Sequence, residues 1–278
     1  MNLFEKQSRL NQFFAQSPVN AAYLAGALSN RATFGQLSDV DIAVLLMDQI
    51  KADQFLDYQL YFLSELAKRL ESDTIDVVIL NQASLLLKLQ VIKYGQIVFS
   101  RNEKQRVTFE TRAVMDYLDF KKFDEIQNQA LGRRLHGNRL PIDKGLVQAF
   151  LQQLRTAITI LEETGQQPRE IFTTDYHYYG LAERYLQLAI EACLSICSTL
   201  IAAFGLRRAE GYHELLSIVA SQQLIPRPLS YRLEVLANVR DQLVHDPAAL
   251  SHEQLYDYIQ HNVKDFVEFA DSIEQKQA

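Results

Sequence analysis

No run of apolar residues in the sequence approaches the length of a transmembrane helix, which points away from a membrane protein. The first residues, Met1-Asn2-Leu3-Phe4-Glu5-Lys6, lack the basic region and apolar core of a signal peptide. Cysteine is scarce. Cys193 and Cys197 lie four apart in a helical pattern, on one helix face. They read as buried small apolar residues rather than a disulfide or a metal site. A cytoplasmic protein is the expectation. An excess of basic residues is also missing. The formal net charge of −6 argues against broad nonspecific nucleic-acid binding, though it leaves room for a local basic cleft. There is no internal repeat and no low-complexity tract. What remains is a chain of 278 residues, 48% hydrophobic and 22% charged. That is enough for one large domain or two ordinary ones with sizeable cores.

Periodicity divides the chain. Leu3 to about Gln16 reads as an amphipathic helix, ended by Ser17-Pro18. Ala21 to Ala25 reads as a first strand, Asp39 to Leu46 as a second, and Thr74 to Leu80 as a third. Ile97 to Phe99 reads as a short edge strand. Helices fall between them, from Asp48 to Leu70 and from Leu85 to Tyr94, and Glu103 to Phe120 returns to helix. The expected fold class is α+β: a domain at 1–120 with a small mixed sheet, followed by an all-α bundle at 144–278. Residues 121–143 are poor in apolar positions, contain Gly132-Arg133-Arg134-Leu135-His136-Gly137-Asn138-Arg139, and read as the connection. From Lys144 onward nearly every segment has helical spacing. Ser251-His252-Glu253-Gln254 has the form of a capping box at the start of the last helix.

Within the second strand Val40, Ile42, Val44 and Leu46 share one face, so Asp39 and Asp41 share the other. Asp76 on the third strand points opposite to Ile75 and Val77. Two carboxylates that close repel unless protons or a cation neutralise them. A hard divalent ion such as Mg²⁺ prefers oxygen ligands and keeps positions for phosphate. Taken alone, Asp-x-Asp more often marks two solvated acids at the start of a strand.

Residues 20 to 100 resemble the minimal nucleotidyltransferases of the polymerase-beta-like superfamily. The residues that carry the likeness are Gly26-Ala27, Ser38-Asp39-Val40-Asp41 and Asp76. The resemblance implies transfer of a nucleoside monophosphate from ATP to a hydroxyl, with Mg²⁺ held by Asp39, Asp41 and Asp76. Asp76 would also help to deprotonate the acceptor. Gly26, Ala27 and Ser38 would face the nucleotide phosphates, and Arg31 could contact them or could block the close approach that a Gly permits. Ala27 stands where the family has Ser, which removes a phosphate-binding hydroxyl. Ser29-Asn30-Arg31 stands where the family often has Ala-Arg-Gly.

Residues 175 to 260 resemble the HEPN domains, in particular the toxin partners of such transferases. Tyr185 to Glu191 and Val239-Arg240-Asp241-Gln242-Leu243-Val244-His245 carry the likeness. The second stretch fits the family's Arg-x4-His ribonuclease motif. This implies metal-independent RNA cleavage in a homodimer, with Arg240 stabilising charge and His245 moving protons. Asp241 replaces the family's Asn and could pair with Arg240. Pro247 replaces the Tyr that the partner transferase adenylylates; Tyr256 and Tyr258 are candidate substitutes, but read first as solvated or core tyrosines. The leading expectation is a fused antitoxin–toxin type protein that acts on an RNA or protein acceptor. The alternatives are a small-molecule nucleotidyltransferase of the aminoglycoside type and a non-catalytic nucleotide-binding interaction protein.

Overall fold

The computed structural model describes residues 3–25, 40–71, 75–135, 144–245 and 250–277. It divides into two compact units, Met1–Asp119 and Phe120–Ala278.

The first unit is built on a four-stranded sheet. Its strands are β1 (Val19–Ala25), β2 (Val40–Leu46), β3 (Ile75–Ile79) and β4 (Gln96–Ser100), in the order β3-β2-β1-β4. β1 pairs antiparallel with β2 and β4, and β2 pairs parallel with β3. A parallel pair needs a crossover, and α2 (Phe55–Leu70) supplies it. On one face Ile42, Val44, Leu46, Val77 and Ile79 pack with Phe13 and Phe14 of α1 (Leu3–Ala15) and Phe62 and Leu66 of α2. On the other, Tyr23, Ala43 and Leu45 pack with Leu80, with Val91 of α3 (Leu85–Tyr94), and with Phe109 at the start of α4 (Glu103–Leu135). Both cores follow from alternation along the strands.

Several side chains fix this sheet. Arg101, just past β4, donates from Nε to the Val19 carbonyl at 2.9 Å and from Nη2 to the Phe14, Ala15 and Ser17 carbonyls. It thereby satisfies carbonyls at the end of α1 that have no helical partner. Gly95, between α3 and β4, is required by crowding: a Cβ there would lie 2.4 Å from the Val91 carbonyl oxygen.

The second unit is a helical bundle. It comprises the later part of α4, α5 (Lys144–Gly165), the short α6 (Arg169–Thr174), α7 (Tyr176–Phe204), α8 (Tyr212–Ser221), α9 (Arg227–His245) and α10 (His252–Gln277). α7 is its axis and packs along α5, α8, α9 and α10. Cys193 and Cys197 are free thiols buried on it. By length and composition α7 could cross a membrane, which corrects the reading that no apolar run is long enough. Its most apolar window is 78% buried within the protein, so this apolarity belongs to a core helix.

The helix read as ending at Phe120 continues to Leu135, through much of the stretch read as a connection. Its apolar contacts are few but deep. Phe120 and Phe123 meet the Tyr212 ring edge-on, at 5.4 and 5.8 Å between centroids. Gln127 accepts the Ala209 amide at 2.8 Å, and Ser198 donates to the Phe123 carbonyl at 3.1 Å.

Candidate active site and the Arg240 cluster

The strand register brings two of the three expected acids together. Asp41 of β2 lies directly beside Asp76 of β3, with Ala25 of β1 on its other side. Neighbouring strands are about 4.8 Å apart and paired residues face the same way. The two carboxylates therefore project side by side from the face that carries Tyr23 and Ala43. Asp41 is half-buried and Asp76 is exposed. The Asp76 Oδ1 accepts the Val77 amide at 2.8 Å, which restrains the side chain.

The register is reinforced at both ends of the pair. Gln59 of α2 donates from Nε2 to the Val77 carbonyl at 2.7 Å. Asn81 accepts the Leu46 amide at 2.8 Å and donates to the Leu46 carbonyl at 3.2 Å. Sequence reasoning missed both residues, because their partners lie on other elements and no periodic signal marks them. It also missed a polar group on the same face as the acids. Tyr23 donates to Glu110 Oε1 at 2.8 Å, and Glu110 is in turn paired with the buried Arg106. Burial and the Glu110 carboxylate together push the Tyr23 phenol well above its usual pKa.

Gly26, Ala27, Arg31, Ser38 and Asp39 lie outside the described residues. Of the expected transferase site, Asp41 and Asp76 are the members that lie among the described residues. Their oxygen donors suit a hard divalent ion. A carboxylate has acceptor capacity beyond the one hydrogen bond seen at Asp76.

In the second unit Arg240 sits on α9 at 4% exposure. It donates from Nη2 to Glu191 Oε1 on α7 at 3.4 Å and from Nη1 to Asp241 Oδ1 at 3.3 Å. Its guanidinium lies over the Tyr212 ring, 5.4 Å from the centroid, within cation–π range. Glu191 also meets Lys122 Nζ at 3.3 Å and accepts Gln187 Nε2 at 3.1 Å. Burial alone would raise the Glu191 pKa. The Lys122 ammonium, the Gln187 amide and the Arg240 guanidinium outweigh it and hold the carboxyl below its ordinary range. His245 closes α9, and its side chain lies outside the described residues. His245 is five helical steps from Arg240, a rotation of about 140° around the axis. The pairing expected between Arg240 and Asp241 is present. Tyr212 beneath Arg240 was not foreseen, since only the fold brings α8 to α9. Tyr256 donates to the Gln167 carbonyl at 3.3 Å and stacks edge-on against Phe172.

These two arrangements coincide with two family matches. Residues 8–104 match the family model of polymerase beta nucleotidyltransferases, and residues 154–273 match that of ribonuclease HepT-like proteins. The chain therefore joins a nucleotidyltransferase-type domain to a HepT-like domain of the HEPN class. The mRNA nuclease HepT of Shewanella oneidensis is 30% identical over 88 residues, a match spanning 32% of this chain and 66% of that protein. Among solved structures, a toxin–antitoxin crystal structure with AMP-PNP is 22% identical, with TM-score 0.45, over 48% of this chain and 99% of that one. The cytosolic protein YutE of Bacillus subtilis is 17% identical, with TM-score 0.44, over 49% of this chain and 90% of that one.

Proposed function

We propose that the first domain transfers a nucleoside monophosphate, adenylate in the leading case, from a nucleoside triphosphate to a hydroxyl acceptor. The observation that carries this reading is the parallel pairing of Asp41 with Asp76. Two carboxylates fixed side by side on adjacent strands, in a domain of nucleotidyltransferase type, form two of the three members of a cation-binding carboxylate set. Asp39, two residues before Asp41 on the chain, would complete it. Mg²⁺ held there would neutralise phosphate charge and steady both the attacking and the leaving oxygens.

The residues themselves do the rest. Asp76 takes the proton of the acceptor hydroxyl. The hydroxyl oxygen forms a bond to the α-phosphorus, the bond to the bridging oxygen breaks, and pyrophosphate leaves. Gly26, Ala27, Ser38 and Arg31 would cradle the phosphates, with backbone N–H groups replacing the hydroxyl that Ala27 lacks. The acceptor would be the HEPN-like part of this protein, a partner, or an RNA.

The HepT-like domain would act as a metal-independent ribonuclease in a cytoplasmic homodimer, through Arg240 and His245 from each copy. Arg240 is committed inside its own bundle to Glu191 and Asp241. An RNA phosphate would have to displace those carboxylates.

Incubation with ATP labelled at the α-phosphate tests the transferase. Label should appear on the protein or on added RNA, and Asp76→Asn should lower it by at least about 10²-fold, the usual scale for losing a general base. Undiminished labelling in Asp76→Asn would remove Asp76 from the site.

A further inference from the structure

α2 has two apolar faces, and the sheet uses one of them. Phe55, Phe62, Leu66 and Leu70 are buried against β-strand residues. On the outer side Leu56 is 62% exposed, Leu60 56% and Leu63 36%. With Ala67 these residues recur at spacings of four, three and four. At about 100° per residue they fall within a stripe some 60° wide. That is the pattern of a helix–helix seam rather than of a solvated face. Single exposed leucines are ordinary, but an ordered row of three on one helix calls for an occupant.

The charges beside the stripe select the occupant. Asp57, in the first turn of α2, and Lys68, in the last, flank the row on the same side and are both exposed. Lys68 meets Glu65 Oε1 at 3.0 Å on its own helix, with its side chain 68% exposed. Two copies of a helix that pair antiparallel bring the same flank of each together. Asp57 of one copy then lies beside Lys68 of the other, twice over by symmetry. Parallel pairing would face opposite flanks and lose both matches. Antiparallel helix dipoles add to the same preference. Leu60 would meet Leu63 across the two-fold axis, and Leu56 would meet Ala67.

We infer that the outer face of α2 is a self-association surface, which pairs antiparallel with α2 of a second copy of this chain. The sixteen residues of α2 span about 24 Å. A contact of that length lies at the small end of specific interfaces, so the equilibrium should depend on protein concentration. The contact is isologous and closed. It is independent of the bundle and of nucleotide transfer.

Sedimentation equilibrium of the full chain tests this. Leu60→Glu should halve the mass of the assembly at matched concentration, with an unchanged far-ultraviolet spectrum because Leu60 packs outward. A dimer through the bundle leaves the test intact: each such dimer carries two α2 faces, so the native chain assembles beyond the dimer and Leu60→Glu returns the mass to that of the bundle dimer. Asp57→Lys alone and Lys68→Asp alone should each weaken association several-fold, and the double reversal should restore it. An unchanged mass in Leu60→Glu overturns the inference and assigns the stripe to something other than a second copy. Failure of the double reversal to restore association overturns the antiparallel arrangement.

Discussion

Asp41 and Asp76 are separated by the whole of α2 and yet stand side by side in adjacent strands. Alternation along β2 was sufficient to place Asp41 on the face opposite Ile42 and Val44. That Asp76 should be its neighbour came from family likeness, because strand order is a long-range property that periodicity does not encode. The Arg240 cluster was legible in the same uneven way. Asp241 is adjacent in sequence and was read directly. The ring of Tyr212 below the guanidinium comes from another helix and was not. Removing the cation should expose how the cluster works. Arg240→Ala leaves Glu191 half-paired among buried groups and should destabilise the bundle by about 3 kcal/mol, read from the shift in its urea transition by circular dichroism. Acid has a related effect. Glu191 ionises more easily folded than unfolded, so its contribution is full above the ordinary carboxylate pKa of about 4.3. That contribution is lost as pH falls through the lower folded value. Stability measured from about pH 7 to about pH 3 should therefore fall less steeply in Glu191→Gln than in the native chain. Equal slopes would contradict the assignment.

Helices with dense apolar stripes were readable, and their ends were readable where capping chemistry is local. Ser251 accepts the Gln254 amide at 3.2 Å, and Gln254 Oε1 accepts the Ser251 amide at 3.0 Å, the reciprocal box that the sequence suggested. Ser251→Ala should cost about 1 kcal/mol of bundle stability. A cost near zero in thermal or urea unfolding would show that α10 is held by packing alone. Gly205 ends α7 at φ 73°, a left-handed cap that an L side chain rarely adopts. Gly205→Ala should likewise lower stability by about 1 kcal/mol, measured in the same way. The continuation of α4 to Leu135 was not readable. Its support comes from a few buried positions, Phe120, Phe123 and Gln127, set among polar residues, and from partners on α7, on α8 and at Ala209 between them. A sparse stripe looks like a linker until its partners are known. α6 was missed for a simpler reason, since six residues are too short to show a period.

At the scale of the molecule the structure divides into two compact units, between Asp119 and Phe120. A mixed sheet with its helices gives way to a bundle organised on α7. The two family matches fall on the two sides of that division. The hydropathy of α7 shows how the same signal can serve two solvents, because a core helix and a membrane helix have similar composition. The chemistry proposed for the whole chain rests on the first unit. The most direct measurement is labelling by α-phosphate-labelled ATP with Mg²⁺, comparing the native chain with Asp41→Asn. The account predicts covalent label in the native chain and its loss in Asp41→Asn, with the fold retained. Absence of both label and nucleotide binding in the native chain, or undiminished label in Asp41→Asn, would contradict it.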